Sequence, residues 1–194
     1  MEDRIFYHAV TERPMMPGQR LVFDAQHRNG VGQRTDARRE LVSEIYAHPD
    51  RYDAEQLEHH TRVALRELAL EELRASEYPA YPSRMACLYV SPAQTEAEHW
   101  AELFALWGRP TFSVVKLSVR GACFTGDSYN CFEAVTDHAE NLRLARAYWE
   151  NLPNAEGNAP MVEVLASGEI TVLEIVRTIE KNIRQSPRSL LKNK

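Results

Sequence analysis

Two Tyr-Pro pairs near the middle of the chain, Tyr78-Pro79 and Tyr81-Pro82, separate regions with different hydrophobic patterns. A residue that precedes proline is pushed out of the α region, so a helix has to end there. Before the pairs, long stretches carry apolar residues at helical spacing. After them, short apolar runs predominate, and these are typical of strands. The sequence therefore predicts an α+β fold.

The first region is predicted to begin with strands and to continue with helices. Its predicted elements are strands at Ile5–Val10 and Leu21–Phe23, a loop over 24–34, a helix capped by Thr35 or Asp36, and a helix from Asp53 to about Ser76. The second region alternates strands with helices. Its predicted strands are 85–91, 112–119 and 122–124, and its predicted helices are 92–106 and 137–152. Residues 161–176, MVEVLASGEITVLEIV, are predicted to form a hairpin that turns at Ser167-Gly168.

Length and composition limit the organisation of the chain. A chain of 194 residues is expected to form one domain, over residues 1–184, followed by a flexible basic tail, residues 185–194. The net charge of -5 argues against a broad nucleic-acid surface. No signal-peptide core and no stretch of membrane-spanning length is present, so we expect a cytoplasmic protein without a membrane partner; secretion by a route without a signal peptide stays open.

Common metal and nucleotide motifs are absent from the sequence. His59 and His60 are adjacent, so on a helix they point about 100° apart and do not form the i, i+4 pair of a helical zinc site. The three cysteines form no C-x-x-C pair. Cys87 lies in an apolar run, where a buried, unreactive side chain is the more common role. We expect no metal.

Three windows, FYHAVT, CLYVSPAQTEAEHW and MVEVLASGEITVLEIV, carry a histidine, a tyrosine and a glutamate in that chain order. Together they resemble the ADP-ribosyltransferase superfamily, specifically its His-Tyr-Glu branch and an uncharacterised bacterial domain family within it. The resemblance implies a split β-sheet core with helices inserted after the first strands. It also implies a cleft for NAD+, which would serve as co-substrate.

The resemblance assigns roles to individual residues. His8 would hydrogen-bond the adenosine ribose, and the backbone of Ala9, which stands where the family has glycine, would hold the nicotinamide amide if its φ is negative. Tyr89 and Trp100 would sandwich the cationic nicotinamide ring. Glu163 would be catalytic, accepting a hydrogen bond from the ribose 2′-OH and stabilising the oxocarbenium-like transition state.

Other residues carry weaker predictions. Asn29 and Arg34 are predicted to contact the NAD+ phosphates, and Arg84 either does the same or pairs with an acidic neighbour. Each residue also has a structural alternative: a core histidine at His8, core aromatic rings at Tyr89 and Trp100, a solvent-facing carboxylate at Glu163, or an ordinary loop at Asn29 and Arg34. The loops over 121–137 and 153–160 are expected to select the acceptor.

The predicted function is ADP-ribosyl transfer from NAD+ to a protein, nucleic acid or small molecule. Met161 stands where arginine-modifying members carry the first glutamate of an E-x-E pair, which disfavours arginine as the acceptor. A non-catalytic module that binds a nucleotide or a partner is the first alternative, and Ala9 is its best support. A phosphotransferase acting on an RNA 2′-phosphate is the second, but its basic cleft would rest on Arg34 and Arg84 alone.

Overall fold

The structure is a computed structural model that describes residues 3–179. Its strands are β1 Arg4–Val10, β2 Arg20–Phe23, β3 Leu88–Val90, β4 Ser113–Arg120, β5 Cys123–Asp127, β6 Val162–Ala166 and β7 Gly168–Thr178. Its helices are α1 Gly30–Asp36, α2 Arg39–Ala47, α3 His59–Glu77, α4 Gln94–Leu106 and α5 His138–Trp149. This content confirms the α+β prediction. The predicted tail, residues 185–194, lies outside the described residues.

Two antiparallel sheets are joined by one long ribbon of two strands. The first sheet has the order β1-β4-β7-β2 and the second has the order β3-β6-β5. Arg120 is paired with Glu169 in the first sheet, and Cys123 is paired with Ala166 in the second, in one continuous register. The segment β4-β5 therefore runs beside the segment β6-β7 through both sheets, as at a corner where strands switch sheets.

The predicted hairpin at Ser167-Gly168 is wrong. The chain keeps its direction there and passes from β6 in the second sheet to β7 in the first. Gly168 has a φ of +94°, which favours glycine, and a Cβ on Gly121 would overlap the backbone carbonyl oxygen of Ser167. Gly121 and Gly168 therefore let both strands of the ribbon bend at the same point. The hairpin was predicted because a Ser-Gly pair is as compatible with a tight turn as with such a bend.

We expect Gly121→Ala to destabilise the protein by about 3 kcal/mol, because the added methyl group meets backbone that cannot rotate away. Urea unfolding gives the free energy of unfolding. The control is Gly108→Ala, at a φ of +75° with no heavy atom within 4 Å of the new Cβ. It should cost about 1 kcal/mol, from backbone strain alone. Equal costs for the two variants would contradict the close crossing of the strands.

Three apolar clusters organise the layers around the sheets. The inner cluster lies between the sheets and includes Val10, Val90, Leu117, Val164 and Ile170. The outer face of the second sheet is covered by α3 and α5, through a cluster that includes Leu70, Tyr148, Trp149 and Leu165. The outer face of the first sheet is covered by α4, through a cluster of Ala9, Ala97, Ala101 and Val114.

The predicted loop over 24–34 is wrong at its end, because α1 begins at Gly30. The side chain of Asn29 caps this helix by accepting a hydrogen bond from the Gly32 N–H at 2.9 Å. A Cβ on Gly32 would collide with the backbone of Met85, so glycine permits the close packing of α1. The short helix has no apolar repeat in its sequence, which explains why helical spacing did not reveal it.

The remaining helix boundaries differ from the predictions mainly at their starts. Helix α2 begins at Arg39, after the predicted caps Thr35 and Asp36, which belong to α1. Asp53 caps a short 3-10 turn, Ala54–Gln56, and α3 begins six residues later at His59. Helices α4 and α5 were predicted to within a few residues at each end. Capping residues are common in turns as well as at helix starts, so they locate a boundary only approximately.

Candidate functional site

The strands that carry the predicted site residues are neighbours in space. Tyr7 of β1 and Ser91, which follows β3, exchange both backbone hydrogen bonds, at 2.9 and 2.7 Å. Strand β3 pairs with β6 through Val90 and Val164. His8, Tyr89 and Glu163 therefore lie on three adjacent strands, and the first of these strands belongs to a different sheet from the other two.

His8 is held by the backbone of the neighbouring strand. Its Nδ1 lies 2.7 Å from the carbonyl oxygen of Tyr89. A carbonyl oxygen only accepts, so Nδ1 donates, and Nε2 of the neutral ring is left as an acceptor. Burial lowers the pKa of His8 to about 4, against the smaller opposing effect of this hydrogen bond. His8 is therefore neutral at physiological pH. By alternation along β1, its side chain lies on the inner face with Phe6 and Val10.

The lowered pKa of His8 predicts that stability depends on pH. Between its ordinary pKa of 6.5 and the folded value of about 4, the unfolded chain binds more protons. The contribution of neutral His8 to the free energy of unfolding is therefore complete above pH 6.5, and it is lost as the pH falls towards about 4. We expect His8→Gln to reduce this loss, measured by urea unfolding at about pH 7 and about pH 4.5. The control is His60→Gln, at an exposed histidine. If the free energy of unfolding depends on pH in the same way in the wild type and in His8→Gln, His8 is not the source of the pH dependence.

Ala9 presents free main-chain groups beside β3. Its φ is negative, because Asn151 is the single residue other than glycine with a positive φ in the described part of the chain. The N–H and C=O of Tyr7 point towards Ser91, and alternate residues of a strand point the same way. The N–H and C=O of Ala9 therefore point away from β4, and no residue in 3–179 hydrogen-bonds to them. Ala9 therefore has the negative φ that alanine needs if its backbone is to hold the nicotinamide amide.

Glu163 is held through one oxygen only. Its Oε1 accepts hydrogen bonds from Arg84, at 2.5 Å, and from the hydroxyl of Tyr148, at 2.8 Å. Its Oε2 accepts no hydrogen bond from the described residues, and the side chain keeps 12% of its exposure. Glu163 is therefore a fixed carboxylate with one oxygen available, and the alternative of a solvent-facing strand residue is wrong.

Arg84 is the centre of a buried ionic network. Its Nε donates to Glu67 at 3.0 Å, and its guanidinium group lies 5.3 and 4.8 Å from the ring centres of Tyr89 and Tyr148. Arg84 is 5% exposed and also donates to Glu163 and Tyr148, so it is not available to NAD+ phosphates. Of the two roles predicted for Arg84, the structure therefore selects pairing with acidic neighbours.

The sequence did not reveal Glu67 or Tyr148 as members of this network. Burial raises the pKa of Glu67, but the charges of Arg84 and Arg66 outweigh burial, so the pKa of Glu67 is lowered overall. Burial raises the pKa of the Tyr148 hydroxyl well above its usual value. A signal for Glu67 did exist: it lies three residues from Ala64 and three from Leu70, on the buried face of α3.

The two predicted ring partners of nicotinamide lie in different layers. Tyr89 packs in the cluster beneath α3 and α5, and its hydroxyl donates to the carbonyl of Arg84 at 3.1 Å. Trp100 packs against Phe104 in the α4 layer, with 5.6 Å between ring centres. The structure therefore does not bring the two rings into one cluster, and the sandwich around nicotinamide stays a prediction.

The residues predicted to bind phosphate differ in availability. The side-chain amide of Asn29 donates to the carbonyls of Arg84 and Cys87, at 2.8 and 2.9 Å, so it stabilises the start of β3. Arg34 is half exposed and lies 4.0 Å from Glu12, so its guanidinium group is accessible. Cys87 is buried, and burial raises the pKa of its thiol well above the usual value, which agrees with an unreactive side chain.

The segment that leads into β6 is fixed by Asp127 and borders an open groove. Oδ1 of Asp127 accepts from the N–H groups of Tyr129 and Met161, both at 3.0 Å, and Oδ2 accepts from Asn154 at 2.8 Å. A groove of about 360 Å³ separates this segment from the first turns of α4. Asp127 therefore sets the position of the backbone immediately before Glu163.

Within 3–179, no group of three or more His, Cys, Asp or Glu side chains is placed to hold a metal ion. No helix in this range has the length and apolar character needed to cross a bilayer.

Comparisons with known proteins give one family. No curated protein matches the chain. A family model described as "Protein of unknown function (DUF2441)" matches residues 6–178. Because this match covers most of the 194 residues, the chain belongs to the DUF2441 family.

Proposed function

We propose that the protein is an NAD+-dependent ADP-ribosyltransferase with the split-sheet core of that superfamily, and that it releases nicotinamide as it transfers ADP-ribose to an acceptor. The observation that carries the proposal is the state of Glu163. Arg84 and Tyr148 fix one carboxylate oxygen, and the other has no partner in the described residues and keeps access to solvent. A carboxylate held in this way is preorganised to bind a ligand with its free oxygen.

The chemistry of NAD+ cleavage suits such a carboxylate. As the bond between nicotinamide and ribose stretches, positive charge develops on the ribose ring, and nicotinamide departs as a neutral leaving group. Oε2 of Glu163 would accept a hydrogen bond from the 2′-OH of that ribose, and its negative charge would stabilise the developing positive charge. Arg84 does not cancel this effect completely, because its charge is shared with Glu67 at 3.0 Å.

The strand β1 supplies groups for the rest of the co-substrate. Nε2 of the neutral His8 is an acceptor for a ribose hydroxyl. The free N–H and C=O of Ala9 match the two functions of a carboxamide, which donates and accepts. Arg34 is the accessible basic residue among those predicted to contact phosphate. Asn29 would act indirectly, by holding the turn at Arg84–Ala86 and the start of β3.

A non-catalytic module that binds a nucleotide or a partner is the second candidate function. The short contact between Arg84 and Glu163, 2.5 Å, favours it, because a neighbouring cation weakens the field of the carboxylate. The RNA 2′-phosphotransferase alternative loses support. Arg84 is buried and paired, which leaves Arg34 as the accessible member of its two basic candidates.

Two measurements on the purified protein test the proposal: NAD+ binding by calorimetry, and nicotinamide release by chromatography. We expect NAD+ to bind and nicotinamide to be released. Binding without release, in the presence of candidate acceptors, would support the binding module. Absence of both would contradict NAD+ as a co-substrate.

A further inference from the structure

The groove at the start of β6 has walls of defined chemistry. One wall is the face of α4 formed by its first two turns, and the other is the segment before β6 together with Tyr129. The groove includes Val162, the residue that precedes Glu163. The lining includes one carboxylate, Glu96, a histidine, His99, two large aromatic rings, Trp100 and Tyr129, and the apolar Met161. None of the described residues that line it is a lysine or an arginine.

Glu96 carries an unsatisfied oxygen at this groove. Its Oε2 is shielded from water and has no hydrogen-bond partner among residues 3–179. A carboxylate oxygen without a donor is unfavourable. The terminal torsion of a glutamate side chain is soft, so a small rotation is enough to bring Oε2 to a donor placed in the groove.

The lining selects a flat organic cation. The absence of basic residues disfavours phosphate groups, and a carboxylate with two aromatic rings attracts positive charge. A guanidinium group fits better than an ammonium group, because it stacks on aromatic rings and donates to a carboxylate with two parallel N–H groups. We infer that the groove binds the guanidinium group of an arginine side chain, and that this arginine is the acceptor of ADP-ribose; the second part rests on the proposed function.

This inference revises the expectation that arginine is disfavoured. That expectation came from Met161, which stands in place of a second glutamate near Glu163. Met161 lines the groove, and Glu96 brings a carboxylate to the same groove from α4. In the transfer, the bond between nicotinamide nitrogen and ribose C1′ breaks, and its electron pair leaves with nicotinamide. A guanidinium nitrogen forms the new bond to C1′ and releases one proton to solvent.

The binding test uses the full chain and N-acetyl-L-arginine amide, followed through tryptophan indole N–H signals in NMR spectra. Trp100 lines the groove, whereas the indole N–H of Trp149 is buried and bonded to Leu70, so it is an internal reference. We expect the arginine probe to shift the Trp100 signal. N-acetyl-L-citrulline amide, which has the same shape without the charge, should bind about tenfold more weakly or worse.

The matched variants are Glu96→Gln and Glu102→Gln. Both remove one charge from α4, but Glu102 is exposed and pairs with Arg177 outside the groove. We expect Glu96→Gln to weaken binding of the arginine probe by about tenfold or more, and Glu102→Gln to leave it unchanged. Equal binding of the citrulline probe, unchanged binding in Glu96→Gln, or no shift of Trp100 would each overturn the guanidinium site.

The transfer is tested separately with NAD+ and the same arginine probe, by mass spectrometry. An ADP-ribosyl adduct on the probe that is lost in Glu96→Gln and kept in Glu102→Gln supports the whole inference. Probe binding without an adduct, when nicotinamide is released, rejects arginine as the acceptor. Probe binding without any nicotinamide release rejects the proposed function and leaves the guanidinium site standing.

Discussion

Arg84→Met is expected to destabilise the protein by about 3–5 kcal/mol, because it removes the buried cation that Glu67 and Glu163 share. Glu67 is 1% exposed and keeps one other ionic partner, Arg66, at 3.1 Å. Glu163 keeps one hydrogen bond, from Tyr148. Methionine replaces the stem of the arginine but supplies no donor. The free energy of unfolding in urea, with the slope against denaturant compared between variants, measures the effect.

The control for this prediction is Arg143→Met on α5. Arg143 is exposed and pairs with Glu140 one turn away, so its loss should cost at most about 0.5 kcal/mol. A cost below about 1 kcal/mol for Arg84→Met would mean that the buried carboxylates do not need the arginine. The double variant Arg84→Met/Glu67→Met should recover part of the loss, because it also removes one of the two carboxylates that had been paired with Arg84.

Glu163→Gln is expected to lower nicotinamide release on the order of 10²–10³-fold, with little change in the affinity for NAD+. Glutamine preserves the shape of the side chain but removes the negative charge that stabilises the transition state. Because Arg84 keeps its pairing with Glu67, the variant should retain its fold, which circular dichroism checks. Single-turnover rates and binding by calorimetry separate the chemical step from binding.

The matched control is Glu169→Gln, on the strand that follows Glu163 in the chain. Glu169 is exposed at the start of β7 and is paired in the sheet with Arg120. Its replacement should leave nicotinamide release unchanged. If both glutamine variants lose the same fraction of activity, or if neither loses any, Glu163 is not the residue that stabilises the transition state.

Local patterns predicted the elements of this fold better than their connections. The apolar runs located β1, β6 and β7, and helical spacing located α4 and α5. The Ser167-Gly168 bend could not be distinguished from a hairpin turn, because the difference depends on Gly121, a residue 46 positions earlier that touches Ser167 in space. Whether a strand reverses or switches sheets is decided by its pairing partners, and a local pattern does not contain them.

The candidate site was predictable in its positions but not in its partners. Alternation and the family resemblance placed Glu163 on a strand, and the structure shows that this strand pairs with the strand of Tyr89. The fixation of Glu163 by Arg84 and Tyr148 joins three separate parts of the chain, so no local signal contained it. For Glu67 a local signal did exist, because its helical spacing places it on the buried face of α3. Its charge, however, favoured an exposed position, so the spacing alone did not identify it.

The ribbon that runs through both sheets makes their folding cooperative. The pairing of β4 with β7 continues into that of β5 with β6 in one register across the glycine corner, so the two central strand pairs form one ladder through both sheets. A local opening that separates these strands at the glycine corner disturbs both sheets at once. His8 and Glu163 lie in different sheets, yet the two halves of the proposed site are formed and lost in the same event.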